Sequence, residues 1–122
     1  MKLKINDLSW DLAFVQSRNQ DSDESICGVT RKTRLEIYVN SDMDDTLVYR
    51  TIIHELAHAY VWSFGFENFE SFKEEDLCNF IESYAKDILS KADDVFGEYK
   101  KEKKELKKIS NEFETILKKN NK

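Results

Sequence analysis

Residues 34–65 read RLEIYVNSDMDDTLVYRTIIHELAHAYVWSFG, and two periodicities meet inside that stretch. Through Asn40 the alternation is two-fold. Leu35, Ile37 and Val39 fall on one face and Glu36 and Tyr38 on the other, the pattern of a β-strand with one buried side. Ser41, Asp42, Asp44 and Asp45 then supply N-cap groups and first-turn acids that suit the positive end of a helix. The helix is expected from about Asp44 to Phe64, ended by Gly65. Its apolar residues, from Leu47 and Val48 through Ile52, Ile53 and Leu56 to Val61 and Trp62, cover most of the circumference, so the spacing predicts burial on nearly all sides.

Upstream, Lys2–Ile5 alternates, Asn6-Asp7 offers a turn, and Trp10–Gln16 reads as a second strand. The polar run SRNQDSDES at 17–25 reads as a loop, and Ile26–Thr30 as a short strand in which Gly28 marks a bend or bulge. Downstream, 67–71 reads as a linker. A second helix should begin near Ser71 or Phe72, with an apolar stripe of Leu77, Ile81, Tyr84, Ile88, Ala92 and Val95, and break or kink at Gly97. Strands followed by helices make an α+β fold: a small, mainly antiparallel sheet of three or four strands, a buried helix, a second helix and a C-terminal amphipathic helix.

The 122 residues suit one domain with one core, expected over residues 1–96, followed by a charged helical tail at 97–122. Charged residues are 35% of the chain, above the average of roughly 25%, so the surface is strongly solvated. A net charge of −5 argues against a general nucleic-acid binder. No apolar run approaches the ~20 residues of a membrane span, and Met1-Lys2-Leu3-Lys4 leads into strand alternation and not a signal peptide. Two cysteines, Cys27 and Cys78, are too few for a disulfide scaffold, and a cytoplasmic location is expected. Cys78 reads as a small core residue.

The helix of residues 44–64 carries His54-Glu55-Leu56-Ala57-His58, an H-E-x-x-H pattern. Four residues of helix turn through about 400°, so His54 and His58 share a face one turn apart and can bind one metal ion. Imidazole pairs suit zinc. Glu55, beside the first ligand, is placed to act as general base toward a water on the metal. The same residues could be a satisfied pair of structural histidines, but two histidines and a glutamate on a buried helix are costly without a partner. Catalytic zinc usually has three protein ligands, and the chain has only two histidines. Cysteine is possible, but a carboxylate on a following helix is the standard companion to this motif, and the first turn of the next helix offers Glu74, Glu75 and Asp76. Glu74 aligns with Cys78 and Ile81 on the apolar side, whereas Glu75 shares a face with Asn79 and Glu82, which offers a polar surround for a ligand.

His54-Glu55-x-x-His58 followed by the run Glu75-Asp76-Leu77-Cys78-Asn79 resembles the gluzincin class of zinc peptidases, and in scale and layout the ImmA/IrrE-like and small phage or mobile-element metallopeptidases. The resemblance covers about residues 1–96. It implies one zinc per chain held by His54, His58 and Glu75, Glu55 as general base, and Asn79 orienting a ligand histidine. It further implies hydrolysis of peptide bonds in a protein or peptide substrate, with a co-encoded regulator as a candidate in a phage or prophage setting. The alternative is a catalytically inactive, metal-stabilised protein-interaction module. Tyr38, Tyr60 and Tyr84 are candidate oxyanion donors. The strand at 34–40 is expected to be the sheet edge on which a substrate strand could lie.

In the tail, Tyr99, Leu106, Ile109, Phe113 and Ile116 recur at three- and four-residue spacings, interrupted by Glu102. Two outcomes fit: an amphipathic helix lying back on the domain, or a homo-oligomer through the C-terminal helix. Interleaved Glu disfavours nucleic acid as the partner of its lysines.

Overall fold

The computed structural model describes residues 1–16, 27–66 and 73–120. The expected loop at 17–25, the start of the third strand at Ile26, the linker at 67–71 and the helix start at Ser71 or Phe72 lie outside them.

The architecture is α+β. Strands β1 (Lys2–Ile5), β2 (Leu8–Val15), β3 (Gly28–Arg31) and β4 (Glu36–Asn40) precede helices α1 (Asp45–Ser63) and α2 (Glu74–Asn120). The sheet order is β1-β2-β4-β3. β1 and β2 form an antiparallel hairpin with Leu3 opposite Trp10. Its two-residue connection, Asn6-Asp7, has positive φ at both positions (47° and 64°), the left-handed geometry that Asn and Asp tolerate best and that suits the twist of a hairpin. β3 is antiparallel to β4, but β4 runs parallel to β2, with Leu12 opposite Ile37, so the sheet is mixed. β4 starts later than the alternation suggests, because Lys32–Arg34 form a 3-10 turn closed by Leu35 at φ 55°. The strand at 34–40 is also not an edge: β4 is paired on both sides, and among the described residues β1 and β3 are the edge strands.

One face of the sheet packs on α1. Trp10, Leu12, Ile37 and Val39 join Val48, Ile52, Leu56 and Ala59 in one core, to which α2 adds Ile88, Ala92 and Val95. Buried polar groups are paired. Trp10 Nε1 donates to Ser63 Oγ at 2.9 Å, and Asn6 Nδ2 donates to the Ser63 carbonyl at 2.8 Å, satisfying an acceptor in the last turn of α1.

Helix α1 is not buried all round. Leu47, Arg50, His54, His58 and Trp62, three and four residues apart, form an exposed stripe, while Thr51, Glu55 and Ser63 are buried among the apolar residues. Apolar content overstated the burial because Leu47 and Trp62 sit on the polar side, 41% and 37% exposed.

Helix α2 runs uninterrupted from Glu74 to Asn120, so Gly97 does not break it and the expected second and tail helices are one. A lone mid-helix glycine costs about 1 kcal/mol, which neighbouring packing offsets; Val95 and Tyr99 on either side are buried. The buried stripe also differs at its start: Phe80 is buried whereas Leu77 and Ile81 are 45% and 52% exposed, and Cys78 is exposed and not a core residue.

The helices run antiparallel and are tied by hydroxyl–carboxylate bonds. Tyr60 donates to Asp87, Tyr49 to Asp93 at 2.7 Å, and Tyr99 to Asp45 at 2.9 Å, while Lys103 Nζ reaches the same Asp45 oxygen at 2.7 Å. Hydrogen bonds from Lys103 and then Tyr99 hold the Asp45 carboxyl below the usual carboxylate range. Beyond Lys103 the helix continues past the start of α1, and Leu106, Ile109, Phe113 and Ile116 are exposed. That stretch does not lie back on the domain.

Candidate metal centre

The exposed stripe of α1 presents His54 and His58 to solvent with their Nε2 atoms 3.2 Å apart. The rings meet edge to face, 72° apart, with centroids at 4.9 Å. Two nitrogens bound tetrahedrally to zinc at about 2.0–2.1 Å would stand about 3.3 Å apart. The pair therefore already has the bite of two zinc ligands. The same separation suits a single N–H···N hydrogen bond between rings in different tautomers.

Glu55 turns into the interface between α1 and β3 and is 6% exposed. The Thr30 hydroxyl of β3 donates to Glu55 Oε2. Oε1 has no hydrogen-bond partner among the described residues, and Glu55 lines a groove of about 640 Å³ between α1 and β3. The carboxylate is thus held by one oxygen and leaves the other to accept a proton. Sequence reasoning missed Thr30, since nothing in the linear pattern ties a strand threonine to a helix glutamate 25 positions away.

Gly28 explains how β3 comes so close. A Cβ there would meet Thr51 Cγ2 at 2.8 Å, Glu55 Cγ at 3.0 Å and the Tyr38 carbonyl at 3.0 Å. The glycine is there for close approach to α1, not for the bend or bulge that its place in a strand suggested. Gly28→Ala should destabilise the fold by about 1–3 kcal/mol, as overpacked sites do, because two of the three neighbours are held by the helix and the strand backbone. Urea unfolding of the two chains checks this, and equal midpoints would show that β3 can back away freely.

The remaining site residues are placed less favourably. Glu74 and Glu75 are exposed in the first turn of α2, as is Asn79 one turn on. At about 100° per residue, Glu75 stands about 140° around the helix from the buried Phe80, and Glu74 about 120° on the other side. Asp76 is the acid on the Phe80 side, and it accepts from the Lys73 backbone N–H at 3.0 Å, a capping role. Among the described residues no group of three or more His, Cys, Asp or Glu side chains is gathered to hold a metal, so the structure joins His54 and His58 but does not bring Glu75 or Glu74 to them. Two of the phenols are engaged elsewhere, Tyr38 donating to Glu36 and Tyr60 to Asp87, and the Tyr84 ring sits against Phe64, Phe66 and Phe80.

No family model, no curated protein and no solved structure matches this chain. Among the described residues no helix is long and apolar enough to cross a membrane.

Proposed function

We propose that the chain is a zinc-dependent peptidase whose working face is the groove between α1 and β3. The observation that carries the reading is the 3.2 Å separation of the His54 and His58 Nε2 atoms on the solvent side of a helix that turns Glu55 into the adjoining groove. When bound there, zinc would supply Lewis acidity toward the scissile carbonyl and acidify a water. His54 and His58 would hold the ion. Glu55, fixed by Thr30, would take a proton at Oε1 and return it to the leaving amine. β3 has no strand on its outer edge among the described residues, so its main chain can pair with an extended substrate. A co-encoded regulator is the candidate substrate within this reading. Zinc content and peptide cleavage, measured on the same samples of the parent chain and Glu55→Gln, test it together.

The third donor that the resemblance implies is Glu75, with Asn79 one turn further to orient a ligand histidine, and α2 would have to carry them to the pair that it leaves apart. Substituting Glu75 with Gln should weaken zinc affinity by tenfold or more, whereas Glu74→Gln should change it less than threefold, by competition with a chromogenic chelator. The reverse ranking would assign the ligand to Glu74, and two unaltered affinities would remove both.

A second reading, a metal-stabilised interaction module without catalysis, is favoured by the unpartnered stripe of Leu106, Ile109, Phe113 and Ile116. In that case zinc is bound, no peptide is cut, and deletion of 104–122 abolishes association with a partner or a second copy.

A further inference from the structure

Arg50 stands four residues before His54 on the exposed stripe of α1, so the two side chains are neighbours on one helix face. Both line the groove that holds Glu55. Some basic side chains of the folded domain are engaged: Arg31 lies over the Tyr38 ring at 5.5 Å, Lys91 pairs with Asp87 at 3.3 Å, and Lys103 pairs with Asp45 at 2.7 Å. Arg50 has no ion pair or hydrogen bond among the described residues, although the chain carries 24 acidic side chains. The one acid that shares its groove, Glu55, is bonded to Thr30 instead. A guanidinium is a rigid fork of donors that matches a carboxylate with two parallel bonds. The neighbouring wall is apolar, with Val29 and Leu47 about 40% exposed. This combination of one unspent cation, an apolar wall and a free strand edge is a selective surface.

We propose that Arg50 is the specificity-determining residue of the groove and reads a carboxylate on the bound peptide. This inference rests on the peptidase reading for the location of the bond to be cut. Arg50 and His54 are about 6 Å apart along the helix axis, and an extended peptide advances about 3.3 Å per residue. The carboxylate therefore belongs about two residues from the bond opposite His54. It is either an Asp or Glu side chain or the free C-terminus of the peptide.

The test is binding, measured on the full chain carrying Glu55→Gln so that nothing is consumed. The probes are acetylated, fluorophore-labelled heptapeptides in which Glu, Gln or Lys is scanned through each position, each made with a free and an amidated C-terminus. A tenfold or greater preference for the carboxylate form is expected with Arg50, and its loss with Arg50→Met. Arg50→Glu should turn the preference toward Lys. Discrimination between Glu and Gln, insensitive to amidation, identifies a side chain; sensitivity to amidation alone identifies the C-terminus. Discrimination that persists in Arg50→Met overturns the proposal, as does failure of every peptide to bind. Cleavage by the parent chain without any preference overturns it while leaving the peptidase reading standing. An Arg50-dependent preference in binding with no cleavage supports it and removes the peptidase reading instead.

Discussion

Glu55→Gln should keep its zinc and its fold and lose peptide cleavage by about 10²–10⁴-fold, the usual worth of a positioned general base. The substitution is nearly isosteric. The side chain is buried against β3, and the amide oxygen of Gln can still accept from the Thr30 hydroxyl, so the contact that seats β3 on α1 survives. What disappears is the ability to take a proton. Cleavage of co-encoded proteins or a peptide library, with zinc measured in the same samples, reads the effect. Loss of zinc from Glu55→Gln would make the residue a ligand or a structural anchor. Equal cleavage by both chains would place the activity outside this protein and move the weight to the interaction-module reading.

The His54→Ala, His58→Ala double variant should fall from about one zinc per chain to near none. Both imidazoles are exposed, and neither belongs to the core, so the apo fold should persist. The consequence for stability follows from mass action. Zinc free at 1,000 times its Kd adds about 4 kcal/mol to the folded state. Addition of a chelator should therefore lower the thermal midpoint of the parent chain and leave that of the double variant where it was. Full zinc retention by the variant would remove the site altogether, and a chelator shift of equal size in both would place the metal elsewhere.

Several features were legible in the chain because they depend on neighbours within a turn or a hairpin. The alternation through Ile37 and Val39, the Asn6-Asp7 turn and the acid-capped start of α1 are of this kind. So is the approach of His54 to His58, which a four-residue helical spacing imposes whatever the surroundings. The tail pattern from Leu106 to Ile116 likewise required only helical periodicity.

What the chain could not reveal depends on contacts between distant segments. β3 became an edge and β4 an inner strand because the chain returns outside β4 before pairing it with β2, a choice that the pattern of a four-residue strand does not encode. The exposed face of α1 was hidden by Leu47 and Trp62, whose apolar character says nothing about which side the sheet occupies. Gly97 could be spanned because Val95 and Tyr99 are packed on either side of it. In α2, packing turned Phe80 inward and left Leu77 and Ile81 outside, which carried Glu74 and Glu75 away from the buried side. The H-E-x-x-H spacing by itself determined that two imidazoles would meet on one helix face. Only the tertiary structure, by laying a glycine strand against that helix, decided that Glu55 would be buried, held by Thr30 and open to a groove, because the contacts of Gly28 and Thr30 with the helix join residues more than 20 positions apart.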